Sequence, residues 1–487
     1  MRRALPFFAL LLCLFLLGTG CERKEHTEEG PREEGEVAPT AYHLSAELLP
    51  AENLLHVVTE IDWSCPADDL AAVKLNLFAN LYREGTEVVT SDKLSATYAG
   101  GVPSYGGAKI LGVTCDGASV SYDLGREDRL MTVRLSEKKK RGDRVRLEID
   151  EEITLARSKH RLGVYDGYYS LAHFYPEVCP FEEGKFVVAD YSPYGDPFRF
   201  ECADFTVDLT VPIGCECAAS SHETLREIQG TTTHFSYVLE GARDFAVVCS
   251  KKLRYAEKRA GDLPIRYYYA SDPKCAETLS HVEKAVETFQ EMFGAFPYPT
   301  YSVVLAPFFE AGAEHSGLSV VSNALSSADR KQTIVHETAH EWWFGQVGND
   351  EALHPWMDEG LAEYAVAAYY KNVGAETSSR MMIRTAEDAF AIRLAIKGQD
   401  GARFDLPLSE LADGYYDRVY CGGLMLFAAI SERYGEESFH AALRSYARDY
   451  ARRTATPADL ISSLSSSLGE DLSPLFTAYL TATAPIQ

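Results

Sequence analysis

Positive charge is scarce in this 487-residue chain: 47 Lys and Arg stand against 72 Asp and Glu, a formal charge of −25. No basic stripe offsets that field, so nucleic acid is excluded as a partner. Long apolar runs are also missing after residue 17, which excludes a multi-span membrane protein. No internal repeat is evident. Cysteine offers little guidance. Eleven are present, and setting aside Cys13 and Cys21 near the N-terminus leaves an odd number that cannot all pair. Cys215 and Cys217 are too close to resemble a zinc knuckle on their own, and sequence does not say which cysteines form disulfides and which stay buried thiols. Apolar residues make up 46% and charged residues 24%, as in a globular protein with a sizeable core. The length suggests two or three domains.

The N-terminus reads as an export signal. Arg2 and Arg3 precede an apolar stretch from Ala4 to Leu17, interrupted only by Pro6. That stretch is shorter than the roughly 20 residues a spanning helix needs, and it ends in the small residues Gly18-Thr19-Gly20. With Cys21 following, Leu17-Gly18-Thr19-Gly20-Cys21 resembles a bacterial lipoprotein box, with Gly18 where Leu is commoner. The resemblance implies lipidation of Cys21 and attachment to a membrane outside the cytoplasm. Residues 22–40 hold seven Glu, three basic residues and no aromatic residue, the composition of a solvated tether.

From residue 41 to about 252 the hydrophobic period is two. Tyr42, Leu44, Ala46 and Leu48 alternate with polar neighbours, as do Leu55, Val57, Thr59, Ile61 and Trp63, then Val145, Leu147 and Ile149, then Phe205, Val207, Leu209 and Val211. Such runs, broken by turn residues, predict an antiparallel, β-sandwich-like N-terminal domain. The basic run Lys138 to Arg141 before Gly142-Asp143 reads as a hairpin tip. Beyond residue 253 the pattern becomes helical, with a stripe at Leu279, Val282, Ala285, Val286, Phe289 and Phe293 that Gly294 stops. A short strand over Tyr301–Ala306, a loop or edge segment over Pro307–Gly317 and helices from Lys331 onward follow. The expected class is α+β multidomain: a signal at 1–20, a tether at 21–40, a β domain at 41–252 and a mostly helical domain at 253–487.

Residues 336–340 read His336-Glu337-Thr338-Ala339-His340. On a helix, positions i and i+4 share a face, so both imidazoles reach one metal while Glu337 projects near its water. Glu359 stands nineteen residues after His340, at the start of a second helical pattern. Two neutral imidazoles and one carboxylate leave open the fourth position that a catalytic zinc requires. Glu363 shares the helical face of Glu359, where it either hydrogen-bonds a ligand histidine or plays a solvated or capping role. His173, His315 and His354 lack ligand spacing to the core pair, and Tyr267-Tyr268-Tyr269 reads as strand core.

This arrangement resembles the gluzincin zinc metallopeptidases of the aminopeptidase N and leukotriene hydrolase family. Glu341-Trp342-Trp343-Phe344-Gly345 and Asp358-Glu359-Gly360 are similar to the flanks of that family's ligands. The resemblance implies a thermolysin-like catalytic domain, a Zn²⁺ ion, one per chain, held by His336, His340 and Glu359, and Glu337 as general base. Ala311-Gly312-Ala313-Glu314-His315 looks like the family's edge strand that grips a peptide's free α-amine, with Ala313 in place of Met and His315 in place of Asn. Glu314 is thereby the expected amine-binding residue. His315 is expected beside it, where protonation below about pH 6.5 would repel the substrate's ammonium. Val419-Tyr420-Cys421-Gly422-Gly423 is similar to the motif whose Tyr stabilises the oxyanion, which assigns that role to Tyr420 and a substrate-side position to Tyr415. Larger members continue into a further helical domain, so a more open cleft is expected. The expected activity is removal of N-terminal residues from peptides. A zinc endopeptidase and a non-catalytic extracytoplasmic peptide-binding protein are the alternatives.

Overall fold

The computed structural model describes residues 38–188 and 190–484. The signal, the lipoprotein-like box and nearly all of the tether therefore lie outside the described residues. The alternating runs form strands whose apolar faces are buried. Leu54–Ser64 buries Leu55, Val57, Thr59, Ile61 and Trp63, and Arg144–Thr154 buries Val145, Leu147, Ile149, Glu151 and Ile153. Both belong to an eight-stranded sheet ordered Leu225–Gln229, Thr232–Ala242, Ala203–Pro212, Thr40–Leu49, Leu54–Ser64, Arg144–Thr154, Gly107–Cys115, Ala118–Ser119. Two four-stranded sheets pack with it, and Leu44, Val57, Leu147, Val133, Phe205 and Phe245 share one core. One pairing departs from the antiparallel expectation: Thr40–Leu49 runs parallel to Ala203–Pro212. The two strands are separated by most of the β-rich half, the long connection that parallel neighbours require. Lys140 to Asp143 connect Leu130–Lys139 to Arg144–Thr154, but these strands belong to different sheets, so the expected hairpin tip is instead a turn that carries the chain from one sheet to another.

A second architecture begins at Arg254. A five-stranded mixed sheet follows the order Arg254–Ala260, Leu263–Tyr269, Tyr301–Ala306, Leu318–Ser322, Gly312–His315. Tyr267, Tyr268 and Tyr269 are buried in it, as strand core. Its outermost strand, Gly312–His315, runs antiparallel to Leu318–Ser322 and forms the edge beside the helices. The helix Cys275–Phe293 covers one face of this sheet through Leu279, Val282 and Val286, and Gly294 stops it at φ 106°. The helix Trp356–Asn372 lies at the centre of the helical part, buried without interruption from Trp356 to Tyr369. Among the described residues no helix is long and apolar enough to cross a membrane.

Candidate metal and catalytic site

Ser326 starts the helix Ser327–His340: its hydroxyl accepts from the Asp329 backbone N–H at 3.2 Å, an N-cap of the usual kind. His336 and His340 emerge one turn apart on its inner face. Beyond His340 the backbone widens into a π-helical turn, Glu341–Gln346, which sends Trp342 and Trp343 into the core beneath the site. Glu359 projects from the first turn of Trp356–Asn372. A second π-helical turn, Tyr416–Cys421, carries Tyr420. The helix that follows it, Gly422–Tyr434, crosses the Glu359 helix at a glycine pair: a Cβ on Gly423 would lie 2.5 Å from the Gly360 Cα. Only two glycines permit that approach, and it brings the Tyr420 hydroxyl to Glu359 Oε1, to which it donates.

Three donor atoms converge. His336 Nε2 lies 3.1 Å from His340 Nε2 and 3.2 Å from Glu359 Oε2, and His340 Nε2 lies 3.5 Å from the same oxygen. A tetrahedral ion with ligands at 2.0–2.1 Å has ligand-to-ligand edges of about 3.3–3.4 Å, so the triangle fits zinc. Two imidazole nitrogens 3.1 Å apart either share one proton or turn both lone pairs to a cation, and the Glu359 carboxylate beside both suits a cation. Glu363 Oε1 sits 3.0 Å from His336 Nδ1, on the far side of that ring, in the position of a carboxylate that orients a ligand histidine.

Burial would drive protons off both imidazoles, yet both are shifted upward, His336 by Glu359 and Glu363 and His340 by Glu314 and Glu359. The surrounding carboxylates hold them up, so this pocket favours positive charge. Burial pushes Glu337 upward as well, and its Oε2 is buried without a hydrogen-bond partner. Gly312 makes room for it, since a Cβ there would meet Glu337 Oε1 at 2.4 Å. Glu314, Glu337 and His340 offer ligand atoms within 4.8 Å of one another, which places the edge-strand carboxylate next to the metal site.

Tyr420 stacks over the His336 ring at 5.9 Å, and burial lifts its phenol well above the ordinary range, so it remains a proton donor. Tyr415 meets the Tyr420 ring edge-on at 5.7 Å, with its own hydroxyl buried, unpartnered and pressed against Gly195.

His315 does not lie where the sequence placed it. Strand alternation sends Glu314 toward the site and His315 into the core behind it, where His315 Nδ1 is 2.6 Å from Asp244 Oδ2. The expected repulsion of the substrate's ammonium by His315 is therefore withdrawn. His173 and His354 are outside the donor cluster as well; His173 contacts Glu177 at 3.1 Å within the β-rich half.

Several residues of the site escaped sequence reasoning. Tyr416 stacks on Tyr420 at 5.3 Å while remaining 60% exposed, so the rings of His336, Tyr420 and Tyr416 form a ladder from the metal site to solvent. The position of Tyr416 four residues before Tyr420, a spacing that places two helical side chains on one face, is the signal for it. The ion pair of Arg161 with Asp196 comes from the β-rich half, and its charges bear on Glu314. Buried Glu351 and Asp358 add further carboxyls, both raised by burial.

Residues 277–479 match the peptidase family M1 domain. Aminopeptidase M1-B of Oryza sativa is 28% identical over 211 residues, which span 40% of this chain and 24% of that protein. Aminopeptidase N of Streptomyces lividans is 27% identical over 250 residues, 46% of this chain and 28% of that protein. The chain thus spans about a quarter of the length of these relatives. Among solved structures, an M1 zinc metallopeptidase from Deinococcus radiodurans aligns over 93% of this chain and 95% of its own, with a TM-score of 0.66 and 19% identity. That likeness establishes the fold: a β-rich part followed by a mainly helical one. A variant of the same Deinococcus protein was solved with a Tyr-Ser-Ala substrate, and it aligns with a TM-score of 0.64 at 18% identity.

Proposed function

We propose, on the premise that residues 277–479 form a peptidase family M1 domain, that this chain is a zinc-dependent aminopeptidase acting on peptides. The observation that carries this reading is the triangle of His336, His340 and Glu359 with Glu337 and Glu314 on the same wall. Zinc held by those three residues, one ion per chain, supplies Lewis acidity toward a peptide carbonyl and acidifies water. Glu337, with an orphaned oxygen in a buried setting, accepts the water's proton and later returns it to the leaving amine. Tyr420 keeps its phenolic proton and donates it as a hydrogen bond to the developing oxyanion. Glu314 accepts hydrogen bonds from the substrate's α-ammonium and so fixes the register at the first peptide bond. An edge strand next to the site also suits an extended peptide, whose backbone pairs with free strand groups.

The test uses zinc-loaded protein and matched peptides with free and acetylated N-termini, with Glu337→Gln run alongside to exclude contaminants. Cleavage confined to the free peptide is the expected result. Equal cleavage of both makes the protein an endopeptidase, and cleavage of neither despite bound zinc leaves a binding protein.

Export and attachment to a membrane through lipidated Cys21 complete the proposal. Its support is the Arg2-Arg3 start, the short apolar stretch and the Leu17 to Cys21 box, followed by an acidic tether. The parent protein is expected to partition into detergent and Cys21→Ala into the aqueous phase; equal partitioning would remove the anchor.

A further inference from the structure

Two cysteines outside the metal-ligand cluster lie sulfur to sulfur. Cys217 Sγ is 3.0 Å from Cys249 Sγ, the only such approach between cysteines among the described residues. The two residues face each other directly across the antiparallel strands Glu216–Ala219 and Val247–Ser250. The ladder shows which kind of pair they are. The Ser220 N–H donates to the Ala246 carbonyl at 3.0 Å, so Ser220 and Ala246 form a hydrogen-bonded pair. Hydrogen-bonded and non-hydrogen-bonded pairs alternate along an antiparallel ladder, and Cys217–Cys249 is three steps further on. It is therefore a non-hydrogen-bonded pair, in which Cα atoms approach to about 4.5 Å and side chains are closest. That spacing falls inside the window of about 4.4–6.8 Å that a disulfide accepts.

We propose that Cys217 and Cys249 are a modification site, joined by a cross-strand disulfide when the chain folds in an oxidising compartment. The partner is a disulfide oxidant. One cysteine thiolate attacks it, forming a mixed disulfide and releasing one thiolate. The second cysteine's thiolate then attacks the protein sulfur of that mixed bond, closing the bridge and releasing the other thiolate. Two electrons and two protons pass from the cysteines to the oxidant, which leaves as two thiols. Cys217 is 4% exposed and Cys249 fully buried, and burial pushes the Cys217 thiol well above its ordinary range. The finished fold consequently protects the pair from oxidants, and the bond forms while the two strands come together.

The bridge spans 32 positions and closes a loop that holds the outer strands of the eight-stranded sheet, Leu225–Gln229 and Thr232–Ala242. The same loop holds Arg243 and Asp244. Arg243 donates to the carbonyls of Phe344 and Phe200 at 2.5 and 3.0 Å, and Asp244 pairs with His315 behind the Glu314 strand. A covalent tie at its base thus restrains the segment that backs the amine-binding edge, at a site separate from the metal and independent of any catalytic role.

The test folds the full chain with a mixture of reduced and oxidised glutathione, then alkylates it in denaturant without reductant and maps peptides by mass spectrometry. The expected result is one linked peptide pair containing Cys217 and Cys249, with both sites alkylated only after reduction. The bridged protein should also melt several degrees above its pre-reduced form, because closing the loop restricts the unfolded chain. Full alkylation of Cys217 and Cys249 without reductant, or linkage of either to a different cysteine, overturns the proposal. Both readouts come from the unmutated chain, so neither depends on a variant that fails to fold.

Discussion

Glu151 and Glu359 are both buried carboxyls, one in the β-rich core and one in the helical site, and their surroundings treat them oppositely. Glu151 lies on the inner face of Arg144–Thr154, opposite Val57 and Ile110 and between Ile149 and Ile153. Its Oε1 has no partner, and burial raises its pKa to about 8. Burial opposes the charge on Glu359 as well, but the imidazoles of His336 and His340 hold it well below the ordinary carboxylate range. Burial alone therefore does not decide whether a carboxyl is charged; the donors around it do. The β-rich region keeps a carboxyl by leaving it neutral. The site keeps Glu359 charged by gathering two imidazoles around it, while burial raises its neighbours Glu337, Glu351 and Asp358.

The sharpest way to break that contrast is to remove the charge at the site. Glu359→Gln should lose zinc on gel filtration and lower peptide cleavage by roughly 10³-fold or more, the several kcal/mol a metal supplies. Metal analysis beside the rate checks both halves of this statement. Tyr420→Phe should keep zinc and lower kcat by about 10²–10³-fold, the usual cost of one oxyanion donor.

Glu151→Gln tests the other half of the contrast. The folded carboxyl holds its proton up to about pH 8. The unfolded one loses it near 4.3, so its contribution is full below that pH and is lost as pH rises through about 8. Parent stability should fall across that window by a few kcal/mol more than that of the Gln variant, because each pKa unit is about 1.4 kcal/mol. Parallel melting profiles at pH 5 and pH 9 would show that Glu151 is solvated instead. The smallest effect is expected at Tyr416. Tyr416→Ala should lower kcat roughly 2–10-fold at unchanged KM, the value of one aromatic contact on Tyr420, and Tyr416→Phe should restore it. A change in KM alone would make Tyr416 a substrate contact.

What could be read from sequence follows from distance along the chain. His336, Glu337 and His340 share one turn, and Glu359 follows on the next long helix, so helical periodicity and donor chemistry were enough to propose them. Glu314 and Tyr420 became legible only through resemblance, because nothing in local spacing ties an edge strand or a π-helical turn to a metal. His315 shows where resemblance misleads: adjacency in a strand means opposite faces, and the imidazole went to Asp244. Arg161 and Asp196 reach the site from the β-rich half, which no local pattern encodes, whereas Tyr416 stacks on Tyr420 from four residues earlier on the same turn. The β-sheet periodicity was plain, but the parallel pairing of Thr40–Leu49 with Ala203–Pro212 was not, since alternation is the same for either direction. Glu151 stood in view at an apolar position of an alternating run.

Zinc K-edge X-ray absorption on the loaded protein tests the central claim most directly. Two imidazole nitrogens and a carboxylate oxygen at about 2.0–2.2 Å, without sulfur, are the ligands predicted for His336, His340 and Glu359. Sulfur scattering at about 2.3 Å would place the ion on cysteine and contradict the site described for this chain.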